Sequence, residues 1–348
     1  MKKCLASVAL ALGALGALVF AVAAYAAYTT PKLSVTYPAG ATRIVASANV
    51  NDDATARVAI IIPNGTSIDT SAAPGTKVGT VKAQVSALAL GGALLPLAGD
   101  IVVAPPGAVP AASQTACIVN VTPQATYLLV LTAAGQTINV PAYIIGTSAP
   151  QQPLGQAILV FCLAPPDIPA DQGGATFGAK FLSADLTFSG VFSPLTEALW
   201  VAYWTPWQAG TGQVNPAAAV ASVDVVGPGA VTLKGKRVTG RVVLTGKVSQ
   251  LGVGIGERVQ IWGAVGKAAL RPIKSIVAKD NGTYTLTLAR KAKQTVFQAR
   301  VNSPEASVSG ADADAICKEA FADAPLGVPC SSYTISGFTA RSKNVAVR

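Results

Sequence analysis

The stretch that decides the fold is V-T-G-R-V-V-L-T-G-K-V at residues 238–248, in which apolar and polar side chains alternate. A period of two places every second side chain on the same face, so this stretch predicts a half-buried β-strand. Gly246 interrupts the pattern and is interpreted as a β-bulge. Long amphipathic helical patterns are missing from the chain, which indicates an all-β protein.

Short runs of the same character surround this stretch. They are Val231–Leu233, Glu257–Trp262, Lys274–Ala278, Thr283–Leu288, Val296–Asn302 and Val345–Val347. Asp280-Asn281-Gly282 separates two of these runs and predicts a β-hairpin. An insert at Ser303–Ser332 follows the strand at Val296–Asn302, and within it Ala311–Ala322 has the composition of a short helix.

The first two thirds of the chain contain a longer series of short strands between turn signals. The predicted strands are Lys32–Tyr37, Thr42–Val50, Ala56–Ile62, Lys77–Leu88, Asp100–Ala104, Ala116–Val121, Tyr127–Leu131, Thr137–Ile145, Gln156–Leu163, Lys180–Phe188, Ala198–Thr205 and Val220–Val226. This series fits one large β-sandwich or two small ones that are fused.

The C-terminal part resembles the bacterial immunoglobulin-like modules of secreted and surface proteins. The resemblance rests on G-R-V-V-L-T-G-K-V at 240–248, G-E-R-V-Q-I at 256–261 and D-N-G-T-Y-T-L at 280–286. It implies an immunoglobulin-like β-sandwich and no particular activity. The cysteine-bearing insert departs from the simple module. The N-terminal part resembles uncharacterised secreted β-sandwich proteins, which adds no activity.

Residues 1–26 have the composition of a secretory signal peptide. Lys2 and Lys3 precede an uncharged run from Leu5 to Ala24, and Ala24-Tyr25-Ala26 supplies the small residues of a cleavage site. The alternative interpretation is a membrane anchor, because the run is just long enough to cross a bilayer. Either interpretation predicts a protein that is secreted or held at the cell surface.

Four cysteines follow the signal segment, an even number that suggests two disulfides outside the cytoplasm. We expect Cys117–Cys162 and Cys317–Cys330, because each pair then lies within one domain, although the sequence leaves the other two pairings open. The chain has no histidine. This absence excludes Ser-His-Asp and Cys-His catalysis and, with no CxxC spacing, argues against a metal site.

Charge divides the chain near Gly227-Pro228-Gly229. Residues 231–348 carry 18 Lys and Arg against 7 Asp and Glu, whereas residues 28–230 carry 6 against 9. A domain this basic predicts an interaction with a polyanion such as an envelope polysaccharide, and the alternative is a solvated strand face. The candidate contacts lie close together on the first two strands of the domain: Lys234, Lys236, Arg237 and Arg241.

Three of the four tryptophans fall within L-W-V-A-Y-W-T-P-W at residues 199–207. Exposed indoles in one plane would stack on sugar rings, so Trp200, Trp204 and Trp207 form a candidate carbohydrate-binding patch. The alternative is that Trp200 and Trp204 fill the core between two sheets. Trp207, which follows Pro206 at a strand end, is expected to be the most exposed.

Together these features predict an all-β protein with two immunoglobulin-like sandwiches after an N-terminal signal helix. The expected domains are 27–227, a large sandwich, and 228–348, a smaller one with a cysteine-bearing insert at 303–332. The predicted role is structural or adhesive at a bacterial cell surface, without catalysis, metal or cofactor, and without specific binding of nucleic acid. The alternative is a carbohydrate-binding module that uses the aromatic patch. Contact with a membrane is expected only if the N-terminal segment is not cleaved.

Overall fold

The structure is a computed structural model that describes Tyr28 and residues 30–347, except 134, 150, 196, 228, 251–252, 255, 267 and 290–294. The predicted signal peptide, residues 1–26, lies outside the described residues. No helix in the described part of the chain has the length and hydrophobicity needed to cross a bilayer.

Strands dominate the described residues, which confirms the all-β class. The strands are β1 (Lys32–Thr36), β2 (Thr42–Ser47), β3 (Thr55–Ile62), β4 (Lys77–Ala87), β5 (Ala93–Val103), β6 (Ala125–Ala133), β7 (Gln136–Gly146), β8 (Ala157–Cys162), β9 (Ala179–Phe188), β10 (Ala198–Gln208), β11 (Gln213–Val214), β12 (Val220–Val226), β13 (Gly229–Val231), β14 (Lys234–Val238), β15 (Arg241–Gln250), β16 (Val253–Gly254), β17 (Arg258–Val265), β18 (Arg271–Val277), β19 (Thr283–Ala289), β20 (Thr295–Ser303), β21 (Ala306–Ser309), β22 (Cys330–Ile335), β23 (Phe338–Arg341) and β24 (Val345–Val347). The helices are α1 (Ala111–Ile118) and α2 (Ala311–Ala320), with 3-10 turns at Pro38–Gly40, Leu88–Leu90, Ala170–Gln172, Thr176–Gly178 and Pro216–Ala218.

One large sheet has the strand order β1-β2-β9-β4-β5-β6-β7-β8-β3-β10-β12-β22-β21, with β11 paired to β10. Residues from β1 to β12 share one core, so the sheet curves over and packs against itself. Leu33, Ile60, Ile144, Trp200 and Trp204 are fully buried there. Alternation explains which side chains enter this core, because every second residue of each strand points to the inner face.

The central strands of this sheet are buried on both faces. A second core lies on the outer face of β3, β7, β8, β10 and β12, where Cys117 of α1 and Cys317 and Phe321 of α2 cover Ile61, Val160 and other apolar side chains. Strands covered on both faces read as continuous apolar runs. This explains the sequences A-I-I-I at residues 59–62 and A-I-L-V-F at residues 157–161.

Two disulfides hold the helices on this outer face. The structure contains both expected pairs, Cys117–Cys162 and Cys317–Cys330, with Cα–Cα distances of 5.7 and 6.2 Å. The predicted strand Ala116–Val121 is wrong, because Cys117 lies in helix α1. Cys117 and Ile118 are buried against the sheet, and such an adjacent apolar pair is equally common in a strand. The predicted short helix in the insert is confirmed as α2.

A smaller pair of sheets encloses a third core. One sheet contains β13, β14, β15, β16 and β19, and the other contains β17, β18, β20, β23 and β24. Leu244, Val259, Ile261, Phe297 and Val301 pack between them. We call residues 229–303 and 337–347 the small unit and the rest of the described chain, with residues 304–336, the large unit.

The stretch at residues 238–248 spans a turn as well as a strand. β14 ends at Val238, β15 begins at Arg241, and Gly240 has φ 72° in the turn. Gly246 pairs with Tyr284 without a shift in register, so the predicted bulge is wrong. Glycine is needed there because a Cβ atom would lie 2.1 Å from the backbone oxygen of Thr232.

The hairpin predicted at Asp280-Asn281-Gly282 is also wrong. β18 pairs with β17 and β19 pairs with β15, so the two flanking strands lie in different sheets. The turn itself forms as the residue types suggest: Gly282 has φ 77°, and Asn281 Oδ1 accepts from the backbone nitrogen of Thr283 at 3.1 Å. Local turn chemistry therefore fixes the turn but not the partners of the strands that it joins.

The cysteine-bearing insert joins the large sheet, although it was predicted within the second sandwich. β22 pairs in parallel with β12, and β21 pairs with β22 at the end of that sheet. Gln250 of the small unit donates to the carbonyls of Gly227 (3.2 Å) and Ser336 (3.1 Å), where the chain crosses between the units. The predicted boundary near residue 228 and the immunoglobulin-like character of both sandwiches stay predictions.

Candidate functional site: a basic face of the small unit

Strands β14, β15 and β19 form a three-stranded surface with clean alternation. Val242, Leu244, Tyr284 and Leu286 point into the core, whereas their neighbours point outward. Within this register Lys234 lies opposite Thr245, and Thr245 lies opposite Thr285. Since directly opposed Cβ atoms are about 5 Å apart, the outward side chains form a compact, flat surface.

Three of the four predicted contact residues share this surface, and one does not. Lys234, Lys236 and Arg241 are exposed on the outer face. The prediction that Arg237 belongs to this group is wrong. Arg237 follows Lys236 directly in β14, so its side chain lies on the opposite face of the strand, where it is half-buried. The physical reason is the two-residue period of a strand, which separates adjacent residues in sequence to opposite faces.

The surface has further members that were not predicted from the sequence. Lys247 belongs to it through β15, in register with Thr283 of β19. Four threonines complete the outer face: Thr245, Thr283, Thr285 and Thr287. The sequence T-Y-T-L-T-L-A at residues 283–289 already alternates polar and apolar residues, which places Thr283, Thr285 and Thr287 on one face of the strand. We call the four cations Lys234, Lys236, Arg241 and Lys247, together with these threonines, the basic sheet face.

Topology separates the basic sheet face from most acidic residues. Of the seven acids in residues 231–348, five lie in the insert that joins the large unit: Glu305, Asp312, Asp314, Glu319 and Asp323. The small unit therefore has sixteen lysines and arginines against Glu257 and Asp280, a net charge of +14. Among the described residues, none of the cations of the basic sheet face forms an ion pair.

The prediction of an exposed aromatic patch is wrong for Trp200 and Trp204. Trp200 and Trp204 are both 0% exposed. Their indole nitrogens donate to Tyr37 Oη at 3.1 Å and Ser222 Oγ at 2.8 Å. The inner-face positions of β10 place both rings between the layers of the large sheet, where no sugar can reach them. The side chain of Trp207 is half-buried, and its indole nitrogen is shielded from solvent.

One buried carboxyl in the large unit was not singled out from the sequence. Asp224 of β12 is 0% exposed, and its Oδ2 accepts from the backbone nitrogen of Val35 at 2.5 Å. Burial, reinforced by the nearby charge of Glu305, raises the pKa of Asp224 to about 8 despite this hydrogen bond. The signal in the sequence was a single acid within the apolar run V-A-S-V-D-V-V. Asp224 secures the edge of β1 where the sheet curves over.

The described residues contain no cluster of three or more histidine, cysteine or acidic side chains that could hold a metal ion.

No family model matches the chain, and no curated protein matches it. Among solved structures, a tetra-tandem repeat in the extending region of a large adhesion protein is 12% identical, covering 91% of this chain and 99% of that chain, with a TM-score of 0.24. A TM-score this low does not establish a shared fold, so function is argued from the surface itself.

Proposed function

We propose that this is an extracytoplasmic structural or adhesive protein, without catalytic activity, that attaches to an anionic polymer of the cell envelope through its small unit. The observation that carries the proposal is the separation of charge between the units. The small unit has a net charge of +14, whereas the insert that leaves it has one lysine and five acids. A positive electrostatic potential over a flat surface attracts polyanions.

The two disulfides support the assignment to an extracytoplasmic compartment. Stable disulfides form in oxidising compartments and are rare in the cytosol. Both bonds join a helix to a strand of the large sheet, Cys117 of α1 to Cys162 of β8 and Cys317 of α2 to Cys330 of β22, so they hold both helices on the sheet. A stabilised all-β framework with an exposed basic face suits a protein whose task is attachment.

We expect the purified protein to bind heparin, used as a model polyanion, and to elute at a salt concentration that depends on the basic sheet face. Neutralising all four cations with Lys234→Gln, Lys236→Gln, Arg241→Gln and Lys247→Gln should weaken binding about tenfold or more at 0.1 M salt. The logarithmic salt dependence should fall by about one for each contact that is lost. Titration of heparin by calorimetry at three salt concentrations measures both quantities.

A matched control keeps the same net charge but changes a different surface. Exposed cations elsewhere in the small unit are replaced in the same number: Arg271→Gln, Lys274→Gln, Lys279→Gln and Lys343→Gln. We expect this variant to retain most of the affinity and of the salt dependence. Equal losses in the two variants would show that heparin responds only to net charge, and no binding by the unmodified protein at low salt would contradict the proposed attachment.

A further inference from the structure

The second sheet of the small unit carries a different surface on its outer face. Strands β17, β20 and β23 pair in register, with Gln260 opposite Arg300 and Arg300 opposite Arg341. Trp262 lies opposite Gln298 in the next row. With Arg258, which precedes Gln260 by two residues on β17, these side chains form what we call the Arg–Trp face: Arg258, Gln260, Trp262, Gln298, Arg300 and Arg341.

Arg300 is held in a fixed position on this face. Its guanidinium carbon lies 3.8 Å from the centre of the Trp262 ring, a stacked cation–π arrangement. Its Nε donates to Gln298 Oε1 at 2.7 Å, and the Trp262 indole nitrogen donates to Gln260 Oε1 at 3.3 Å. Within the described part of the chain, the terminal nitrogens of Arg300 have no hydrogen-bond partner.

Arg341 adds a second guanidinium directly opposite Arg300. Like charges placed opposite each other in a sheet are destabilising, because their Cβ atoms are only about 5 Å apart. No acid of the described residues forms an ion pair with either arginine. Arg300 is therefore held by Trp262 and Gln298, and Arg341 is exposed at the opposing backbone position of β23. Within the described chain neither arginine has an acidic partner, so both can meet an external anion.

We infer that the Arg–Trp face is a binding site for an acidic polysaccharide whose sugars carry carboxylates. A planar guanidinium group donates two parallel hydrogen bonds to one carboxylate, and Arg300 and Arg341 supply two such groups on adjacent strands. The amide nitrogen of Gln260 is left to donate to sugar hydroxyls, and Trp262, whose ring is covered by the Arg300 guanidinium, holds that guanidinium in place. The face is open and flat, so a polymer that makes repeated contacts suits it better than a small acid.

This site is distinct from the basic sheet face, which lies on the other sheet of the small unit. The two surfaces differ in chemistry. The basic sheet face presents three lysines, Arg241 and threonine hydroxyls, whereas the Arg–Trp face presents three arginines, two glutamine amides and an indole. Because lysine binds an anion as a point charge and arginine binds it with a fixed fork, binding at the Arg–Trp face is expected to weaken when Arg300 or Arg341 is replaced by lysine.

The test uses the quadruple Lys/Arg→Gln variant of the basic sheet face, so that binding by that surface is suppressed. Oligogalacturonate of about ten sugars is titrated into this protein by calorimetry, beside a neutral glucan of the same length and single-stranded DNA. We expect oligogalacturonate to bind and the neutral glucan not to bind. Replacing Arg300 by Lys keeps the charge but removes the fork and the stacking, and should weaken oligogalacturonate binding about tenfold, equivalent to about 1.4 kcal/mol.

Two further variants separate a binding role from a folding role. Arg341→Lys leaves the Trp262–Arg300 stack intact and should also weaken binding, whereas Lys274→Gln, on the edge strand β18, removes a charge and should not. Unfolding midpoints of all variants are measured in parallel. The inference is overturned if Arg300→Lys and Arg341→Lys bind oligogalacturonate as tightly as Lys274→Gln does, or if single-stranded DNA binds more tightly than oligogalacturonate.

Discussion

The free energy of unfolding is expected to fall as the pH rises from about 4 to about 8, and Asp224→Asn is expected to remove most of that fall. The pKa of Asp224 is raised to about 8 in the folded protein, against about 3.9 in an unfolded chain. The folded state therefore binds more protons than the unfolded state within this window. Its stabilising contribution is complete below pH 4 and is lost as the pH approaches 8.

The magnitude follows from the size of the shift. A shift of about four pH units at about 1.4 kcal/mol each sets an upper limit of about 6 kcal/mol, and we expect a loss of about 2–4 kcal/mol. An asparagine keeps an oxygen for the backbone nitrogen of Val35 and never ionises. Asp224→Asn should therefore be similar to the unmodified protein at pH 4 and more stable at pH 8.5. Urea unfolding at pH steps between 4 and 9 measures the difference.

The other titratable groups with shifted pKa values do not produce the same fall in the free energy of unfolding between pH 4 and pH 8. Glu305 adds a negative charge nearby, and Tyr37 and Tyr333 have pKa values raised by burial, so they stay neutral throughout the window. The pKa values of Asp185 and Asp314 are lowered by hydrogen bonds from Arg43 and Lys318, so they act at lower pH and with the opposite sign.

Asp53 provides the matched control. Burial also raises its pKa, but the residue is far less buried than Asp224. We expect Asp53→Asn to leave most of the pH dependence in place. A stability that rose with pH across this window, or a slope that Asp224→Asn left unchanged, would show that Asp224 does not remain protonated in the folded protein.

Much of the strand pattern was predictable because each strand carries its own signal. β3 and β8 are buried on both faces and have continuous apolar runs, and β19 is buried on one face and alternates. Helix α1 was missed because its eight residues, A-A-S-Q-T-A-C-I, have no strong helical period. Its position depends on the sheet beneath it and on the bond from Cys117 to Cys162, and neither is visible in a local window.

Strand pairing was harder to predict than strand existence. The turn at Asp280-Asn281-Gly282 has hairpin chemistry, yet β18 pairs with β17 and β19 pairs with β15, in the two different sheets that enclose the small core. The pairing of β22 with β12 joins residues about 110 positions apart. Such contacts depend on which apolar surfaces remain uncovered once the whole chain has folded, and no local pattern encodes them.

The same distinction applies to the candidate sites. Clustering in sequence grouped Arg237 with Lys236, and only the strand register separates them. It also directed attention to the three clustered tryptophans, two of which are core residues, and away from the isolated Trp262, which is half-exposed beneath Arg300. Clusters of large aromatic residues mark cores more often than surfaces, because burying them contributes so much to stability.

Removing either disulfide is expected to destabilise the large unit, and Cys117–Cys162 should have the larger effect. The stabilisation comes mainly from the loop that the bond closes in the unfolded chain. The cysteines are 45 residues apart in the first pair and 13 in the second. These lengths correspond to about 4 and about 3 kcal/mol at 25 °C. Paired alanine substitutions are preferred to serine, because three of the four sites are almost fully buried and a hydroxyl there would lack a partner.

Tryptophan fluorescence can follow the two units separately during urea unfolding. Trp200, Trp204 and Trp207 lie on β10 of the large unit, and Trp262 lies on β17 of the small unit. In a Trp262→Phe background the signal comes from the large unit alone, so Cys117→Ala/Cys162→Ala and Cys317→Ala/Cys330→Ala should both lower its midpoint. Reductant should lower the midpoint of the unmodified chain but not shift a variant that lacks both bonds. Equal midpoints with and without the Cys317–Cys330 bond would mean that α2 and β22 stay on the large sheet through their apolar contacts alone, and that the insert joins the two units without needing its disulfide.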